Sequence, residues 1–420
     1  MRRRYFVKTA LLSPLAGIGV GCAGQKTAAL LPPPAPHSST RTPINLAVPR
    51  ISWERVIRTT VGLRPHRDSG FVLRAEKFDT KTVIHDYGFG GAGMSLAWGC
   101  GAIAARMALE HGDRRAAVLG CGSPGLTAAR QLQRRGFDVT IYASAIPPDT
   151  TSNMSTAGFT PTSGLVSVER RTPAWDALFR EAAATSYREL QLLAGTPGYG
   201  VSWKESFNAT DNPNAPPAND PEAGSDLLPE QLQPGRDREV LGPGEHPFPA
   251  KYAIRSSRLV IEPTPYLDKL VRDFVFFGGK IVIRKFDTSR DLMSLTESII
   301  INCTGLGSKT LFNDDELVPI KGQLTVCVPQ AEVNYWASGR LPGASTTASI
   351  YPRSDGIVVG NTRVRGNWSL DPDPIARQQN MDATIGFFAA MRGPAKDEEL
   401  TTFEPPRVPP GLESFFGVES

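Results

Sequence analysis

One glycine-rich stretch, residues 115–142, constrains this chain more than any other. It contains an apolar run at Ala116–Leu119, three glycines in G-x-G-x-x-G spacing, and apolar residues at helical intervals up to Gly136. Alternation around Val139 and Ile141 then predicts a second strand. In such a strand–turn–helix–strand unit, the glycines permit a tight turn, approach of a pyrophosphate to the backbone, and close packing of helix on strand. The stretch therefore predicts a dinucleotide-binding unit, without specifying the dinucleotide.

The length, the net charge and the cysteine pattern of the chain exclude several classes of protein. A chain of 420 residues is long enough for two domains or one large α/β body. The net charge of +4 is partly due to Arg2, Arg3 and Arg4, and no array of basic and aromatic residues is present, so no nucleic-acid partner is expected. The five cysteines form no C-x-x-C pair and no His-rich cluster accompanies them, so no metal site is expected.

The first residues have the features of a targeting segment. Residues 1–24 join a basic start to a modest apolar run that is too short and too weakly apolar for a spanning helix. Arg3–Lys8 resembles the twin-arginine export motif, so we expect a periplasmic or membrane-anchored protein. Cys22 is a candidate for lipidation, with simple signal cleavage as the alternative. Residues 25–49 are a proline-rich tether, and residues 404–420 are a tail.

Another glycine-rich segment lies before the G-x-G-x-x-G turn in the chain, and it also leads into a predicted helix. Residues 88–93 hold four glycines in six positions, ahead of a helix predicted at about Met94–Glu110. The N–H groups at such a start can bind an electron-rich ligand, and a tight turn is the alternative. Upstream, we expect strands at Trp53–Val61, Phe71–Arg74 and Thr82–Asp86, with the first broken at Gly62–Pro65.

The rest of the chain alternates strands and helices around a long loop at Thr210–Pro249, which is expected to hold one short helix at Leu228–Leu232. The other expected elements are a helix at Thr172–Leu193, a strand at Ser257–Ile261, a helix from Thr264 to Gly278, buried parallel strands at Lys280–Ile283 and Ser298–Cys303, antiparallel strands at Gly322–Val328 and Ile357–Val359, and a helix at Asp373–Met391.

Four motifs within about residues 50–390 together carry a family resemblance. They are VLGCGSPGL at Val118–Leu126, INCTG at Ile301–Gly305 with KGQ at Lys321–Gln323, GNWS at Gly366–Ser369, and VGLRP at Val61–Pro65 paired with HDYGFGG at His85–Gly91. The chain resembles the FAD-dependent amine oxidoreductases of the D-amino acid oxidase type. The first motif is common to dinucleotide-binding folds, whereas the last pair is specific to this family.

The resemblance implies an α/β fold with two domains. One is a Rossmann-like FAD-binding domain with a parallel sheet, formed by residues 115–165 and 263–315. The other is a substrate domain with a mixed or antiparallel sheet, formed by residues 166–262 and 316–403. Residues 50–114 would supply substrate strands and a flavin-contacting helix, although the family places their motifs at the end of the chain. We therefore expect a circular permutation that joins the family's last helix to its first strand.

The family oxidises the CH–NH₂ group of a D-amino acid by hydride transfer to flavin N5, and oxygen or an electron carrier takes up the electrons. The resemblance places Arg64 at the carboxylate-binding position and Gly91 where the backbone meets the amine. A bidentate arginine clamp suits this reaction because it fixes the substrate Cα. The alternative for Arg64 is a surface arginine beside a proline turn.

The expected aromatic lid over the substrate departs from the family pattern. The family has two tyrosines four residues apart, and this chain has Ser345 and Ser349 at the aligned positions. Tyr351 lies two residues further on and is expected to face another way unless a bulge intervenes. Ser349 and Tyr351 remain candidate catalytic residues. Arg353 and Asp355 nearby are interpreted as turn residues, with a role in favouring polar or acidic substrates as the alternative.

No acidic residue follows Tyr142 to hold a ribose hydroxyl, and a polar loop at Thr150–Ser152 lies downstream instead. The glycine spacing, this loop and the resemblance give the following expected cofactor-binding residues: Gly62, Gly90, Gly91, Ala92, Gly93, Met94, Ser95, Gly120, Gly122, Ser123, Pro124, Gly125, Ser144, Thr150, Thr151, Ser152, Gly158, Phe286, Cys303, Thr304 and Gly305.

Three other functions stay open on the sequence. The chain could keep the fold and act as a dehydrogenase or oxidase of another amine such as glycine. A nicotinamide dehydrogenase is less favoured because Gly90–Ser95 and Gly305 would then have no use. An exported protein that binds FAD without catalysis would explain the missing tyrosines, but it would not need Arg64.

Overall fold

The computed structural model describes residues 42–156, 158–214, 225–229, 232, 237–394 and 400–402. These residues belong to one compact unit. The predicted export segment, Cys22, most of the tether and the tail lie outside the described residues. Within the described part of the chain, no helix has both the length and the apolar character needed to cross a bilayer.

The strands are β1 Val56–His66, β2 Val72–Phe78, β3 Lys81–Tyr87, β4 Arg115–Leu119, β5 Asp138–Ala143, β6 Val201–Thr210, β7 Glu239–Leu241, β8 Tyr252–Ile261, β9 Lys280–Ile283, β10 Ile299–Asn302, β11 Val318–Cys327, β12 Trp336–Gly339, β13 Ala348–Arg353, β14 Gly356–Val359 and β15 Val364–Arg365. The helices are α1 Gly93–Leu109, α2 Ser123–Gln133, α3 Pro173–Leu193, α4 Pro263–Phe276, α5 Ser308–Leu311 and α6 Pro374–Ala389.

A six-stranded sheet, here called the parallel sheet, has the order β2-β3-β10-β4-β5-β9. The strands from β3 to β9 are parallel, and only β2 runs antiparallel to its neighbour. The large apolar core lies on the side of this sheet that carries α1, α2 and α3, and a smaller cluster around Phe286 and Leu292 covers the other side. Burial on both faces explains why β10 is a continuous apolar run.

A nine-stranded sheet, here called the mixed sheet, has the order β1-β11-β14-β13-β12-β6-β8-β7, with β15 paired to β11. Its pairs are antiparallel apart from β6 with β12. Side chains of α6, including Met381 and Phe387, pack in the core cluster on one face of this sheet. The two sheets confirm the α/β fold class, whereas the exact domain boundaries stay a prediction.

The predicted break at Gly62–Pro65 is wrong. Strand β1 runs through this segment and pairs with β11, with Gly62 opposite Gly322 and Arg64 opposite Ile320. Pro65 is tolerated because β1 is an edge strand of the sheet. The residue opposite it on β11 is Pro319, so neither residue has an N–H group that needs a hydrogen-bond acceptor. The strand also starts later than expected, because Trp53–Arg55 forms a 3₁₀ turn.

Other expected elements are close to those observed, with shifted ends. Strand β2 extends four residues beyond the predicted end at Arg74, and β8 starts at Tyr252 rather than Ser257. In the long loop, Ser225–Leu227 forms a 3₁₀ turn, and the expected helix at Leu228–Leu232 lies partly outside the described residues. Strands β6, β7, β12, β13 and β15 of the mixed sheet had no expected counterpart, and β7 lies within the segment expected to be a loop.

The two ends of the described unit meet. The N–H of Thr401 donates to the carbonyl of Asn45 at 2.8 Å, and the N–H of Asn45 donates to the Thr401 hydroxyl at 3.0 Å. At the other end of the unit, α1 leads into β4 through the short connection at residues 110–114. The described part of the unit thus has its first and last residues side by side.

Candidate cofactor and substrate site

A cavity of about 510 Å³ lies where the carboxyl ends of the central parallel strands face β1 of the mixed sheet. In doubly wound sheets, this edge is where ligands bind. The expected cofactor residues that line the cavity are Gly62, Gly90, Gly91, Gly93, Met94, Gly120, Gly122, Pro124, Ser144, Thr150, Thr151, Ser152, Phe286, Cys303, Thr304 and Gly305.

The turn after β4 is built from main chain in close contact. Gly120 has a φ of +105°, and a Cβ there would lie 2.6 Å from the Cys303 carbonyl oxygen. A Cβ on Gly125 would lie 2.0 Å from the Gly120 carbonyl oxygen. Helix α2 starts at Ser123 without a side-chain cap from Gly122. The Ser152 hydroxyl accepts from the Ser123 N–H, so the start of α2 contributes mainly the positive end of its dipole to the cavity, which favours a phosphate.

The second glycine-rich turn brings α1 to the same cavity. Gly90 has a φ of +52°, and a Cβ there would lie 1.8 Å from the Gly164 carbonyl oxygen. The N–H of Gly91 donates to the Ser163 carbonyl at 2.9 Å, so the group of Gly91 that can meet an amine is its carbonyl oxygen. Helix α1 also starts without a side-chain cap.

Arg64 projects from β1 into the cavity wall. Its guanidinium donates to the Asn361 side-chain oxygen at 2.8 Å and to the Thr362 carbonyl at 3.3 Å. Both acceptors are neutral oxygens, and burial followed by the nearby charge of Arg363 lowers the pKa of Arg64 to about 10. A Cβ on Gly322 would lie 2.4 Å from an Arg64 nitrogen, so the guanidinium lies flat on bare backbone. The site thus holds a cation in place without neutralising it.

Five expected cofactor residues lie behind the cavity wall rather than in it. Ser123 donates its N–H to the Ser152 hydroxyl at 2.9 Å, and Gly125 packs on the turn as described above. The Ser95 hydroxyl accepts from the N–H of Thr160 at 2.8 Å, next to a buried Ala92. Gly158 packs under the Trp336 ring, with 3.0 Å between its Cβ position and the ring. These residues shape the wall without lining it.

Neither Ser349 nor Tyr351 lines the cavity. Both belong to β13, and residues two apart on a strand face the same side, so the expectation that Tyr351 faces another way is wrong. The Tyr351 ring instead packs edge-on against Trp336, with 4.9 Å between ring centroids. Burial raises the pKa of the Tyr351 phenol. No aromatic side chain of β13 therefore serves as a lid in this structure.

The charges beside β13 are structural. Arg353 forms a two-pronged ion pair with Asp355 at 2.7 Å and donates to the Ser155 carbonyl at 2.9 Å. Because Ser155 lines the cavity, Arg353 fastens the hairpin of β13 and β14 to the cavity rim. The interpretation of Arg353 and Asp355 as turn residues agrees with this geometry.

Sequence reasoning missed several residues of the site. Asn361 and Thr362 orient Arg64 from a loop far along the chain, and no local signal marks them. Gly322 belongs to a motif that we identified without assigning it a role. Asp86 lines the cavity from the end of β3, and its position in the HDYGFGG motif was a signal that could have been followed.

Asp86 is the most perturbed carboxyl in the cavity wall. It is fully buried, and its Oδ2 accepts a weak hydrogen bond from the Cys303 thiol at 3.7 Å. Burial raises the pKa of Asp86 to about 8, and the thiol contact opposes this only in part. Among the described residues, Asp86 Oδ1 has no hydrogen-bond partner. A buried polar atom of this kind at a cavity wall calls for a bound group to satisfy it.

These features fit FAD. The two helix starts present the positive ends of their dipoles to a phosphate or to an electron-rich ring edge, and the side-chain-free turns let a flat or charged group approach the backbone. The polar loop at Thr150–Ser152 lines the cavity together with Ser144. These residues would bind a ribose or a phosphate, a role that an acidic residue usually has in such folds.

The raised pKa of Asp86 predicts a pH-dependent stability for the cofactor-free protein. The folded state binds the Asp86 proton more tightly than the unfolded state, so the stability is full below the ordinary pKa of 3.8 and is lost as the pH rises towards 8. We expect the free energy of unfolding in urea to fall between about pH 5 and pH 8 by about 2–4 kcal/mol more in the parent than in Asp86→Asn. Parallel slopes for the two proteins would contradict this assignment.

Comparison with known proteins agrees with the site. A family model described as FAD dependent oxidoreductase matches residues 115–407. A D-amino-acid oxidase of Rubrobacter xylanophilus is 28% identical over 302 residues, 71% of this chain and 85% of that protein. The human D-aspartate oxidase is 26% identical over 309 residues, 71% of this chain and 82% of that protein. A solved glycine oxidase of Bacillus cereus has 14% identity and a TM-score of 0.42, covering 64% of this chain and 77% of that one. The chain belongs to the family of FAD-dependent oxidoreductases, with FAD as its cofactor.

Proposed function

We propose that this oxidoreductase acts on the CH–NH₂ group of a D-amino acid. The observation that carries the proposal is the Arg64 guanidinium, which lies in the wall of the cofactor cavity with neutral oxygens as its acceptors. A cation held in this way is suited to bind the carboxylate of a substrate, since a carboxylate matches the planar fork of arginine.

The residues around Arg64 support this role. When bound, FAD supplies the chemistry by accepting a hydride from the substrate. Asn361 and Thr362 fix the guanidinium, and Gly322 leaves room for it to lie against β11. The Gly91 carbonyl, at the start of α1, is placed to accept a hydrogen bond from the substrate amine. Two fixed points on carboxylate and amine would orient the Cα, which is what positioning contributes to such a reaction.

The side chain of the substrate is the least constrained part of the proposal. Ser349 and Tyr351 do not line the cavity, so β13 does not supply the aromatic cover expected from the family. One relative is a D-aspartate oxidase and another a D-amino-acid oxidase, so acidic and neutral D-amino acids both belong in the first test. Another amine such as glycine is the second candidate, because an open site also accepts a substrate without a side chain. Oxygen and a separate electron carrier are both candidate electron acceptors.

Removal of the Arg64 charge should abolish most of the activity. Hydrogen bonds to charged groups contribute about 1.5–3 kcal/mol each, so we expect Arg64→Ala to lower kcat/KM by roughly 10²-fold or more. Gly322→Ala should act in the same direction, with a raised KM, because its Cβ displaces the guanidinium. Arg340→Ala, on the remote strand connection after β12, is the matched control and should equal the parent. The measurement is steady-state oxidation of D-alanine, D-aspartate and glycine.

An Arg64→Ala protein as active as the parent would contradict the carboxylate role. Loss of activity with unchanged FAD absorption would locate the defect in substrate binding rather than in the cofactor. A parent protein inactive on all three substrates, but yellow with bound FAD, would favour the non-catalytic alternative.

We also propose that the chain is a circular permutation of the family's order. The family model starts at β4, yet the preceding segment supplies β1 with Arg64 and places β3 between β2 and β10. The contact of Asn45 with Thr401 supports the proposal, since joined ends would strain little there.

A rearranged chain tests the permutation. A variant that joins residue 402 to residue 43 through a short glycine–serine linker and opens between Gly112 and Asp113 should bind FAD and unfold cooperatively like the parent. A matched variant opened inside β10, between Ile300 and Ile301, should not fold. Failure of the first variant to bind FAD would contradict the proposal.

We further propose export through the twin-arginine route, with Cys22 as the candidate site of a lipid anchor. The motif at Arg3–Lys8 supports export, and both features lie outside the described residues. In a host with this pathway, Arg3→Lys/Arg4→Lys should keep the protein in the cytoplasm, whereas Arg2→Lys should be exported as the parent is. Export of both variants alike would contradict the route.

A further inference from the structure

The unexplained group in the cavity is Asp86, which precedes the last residue of β3. On this strand Ile84 points into the core on the helix side of the parallel sheet, and Asp86, two residues on, points to the same side. Asp86 is fully buried, and it is one of the residues that form the cavity wall. One oxygen contacts the Cys303 thiol, and Oδ1 has no partner among the described residues.

Among the described residues, no cationic group contributes to the pKa shift of Asp86. The residue opposite it on β2 is Leu73. From α1 the nearby ionisable group is the Cys100 thiol, and from the end of β10 it is the Cys303 thiol. Burial raises the pKa of both thiols well above the usual value, so both are neutral. His85 and Tyr87, the neighbours of Asp86 on β3, lie on the opposite face of the strand.

An ionised carboxylate in such a place would be costly, because burial of an unpaired charge removes its hydration without compensation. The carboxyl therefore stays protonated at neutral pH, in agreement with its raised pKa of about 8. A protonated carboxyl differs from a carboxylate in one respect that matters here, since it has an O–H donor in addition to its acceptor oxygens. The wall of the cofactor cavity thus holds a neutral donor for which the described part of the chain supplies no acceptor.

We propose that Asp86, in its neutral form, donates a hydrogen bond to the bound FAD, and that loss of its proton to solvent in alkaline solution weakens the complex. The electron-rich groups of the cofactor are acceptors, so they suit a donor and repel a carboxylate. This inference rests on the family's cofactor and is independent of the identity of the substrate. It gives the protein a cofactor affinity that depends on the charge of one buried side chain.

Binding of FAD to the cofactor-free protein tests the inference. The readout is quenching of flavin fluorescence, which gives the Kd between about pH 6 and pH 9. For the parent we expect the Kd to rise above the pKa of Asp86 by up to about tenfold for each pH unit. Asp86→Asn retains a neutral donor of the same shape, so it should bind FAD as the parent does at pH 6 and show a flat profile. Asp382→Asn on the exposed face of α6 is the matched control and should follow the parent.

A third variant separates the donor from the charge. Asp86→Leu removes both, so its Kd should be raised by about tenfold at every pH, the size expected for the loss of one hydrogen bond to the cofactor. Urea unfolding of each cofactor-free variant would show that the protein is folded. A flat profile in the parent, or an Asp86→Asn profile as steep as that of the parent, would overturn the inference whether or not Asp86→Leu folds. Activity on amino acids is not needed, so failure here and failure of the proposed function are distinguishable.

Discussion

The site depends on main-chain contact at the carboxyl edge of the parallel sheet. Gly120 packs on the Cys303 carbonyl, Gly125 on the Gly120 carbonyl, and Gly90 on the Gly164 carbonyl, each at a distance that excludes a Cβ. Because no side chains separate these segments, two helix starts converge on one cavity with the positive ends of their dipoles. A cavity with these walls accepts a ligand that carries phosphates and an electron-rich ring. The family's cofactor follows from this packing rather than from any single side chain.

The mixed sheet adds a fixed positive charge to the wall of the cavity. Arg64 is placed by pairing of β1 with β11 and is aimed by Asn361 and Thr362. Its partners leave the cation without a counter-charge, whereas Arg353 is neutralised by Asp355 and serves the fold. This contrast between two arginines near one cavity is why the substrate role is assigned to Arg64. Asp86 lies in the wall of the same cavity, and burial raises the pKa of its carboxyl to about 8.

Sequence reasoning succeeded where the information is local. The unit from β4 to β5 was predicted with its helix and turn, because glycine spacing and apolar periodicity fix it within about 30 residues. The motif resemblance placed Arg64 and most of the glycines at the cavity. Prediction from the sequence failed at β1. Local rules for glycine and proline predict a break there, and only pairing with β11, some 250 residues away, makes the segment a strand. Asn361, Thr362 and the packing of Tyr351 on Trp336 also depend on such distant partners.

The central claim is that the cavity binds the carboxylate and amine of a D-amino acid against the cofactor. The most direct measurement is the absorption spectrum of the FAD-loaded protein under anaerobic conditions, before and after addition of one amino acid as its separate D- and L-enantiomers. The account predicts that the oxidised flavin bands bleach with the D-enantiomer and persist with the L-enantiomer. Bands that persist with D-alanine, D-aspartate and a mixture of other D-amino acids, in a protein that dithionite does reduce, would contradict it.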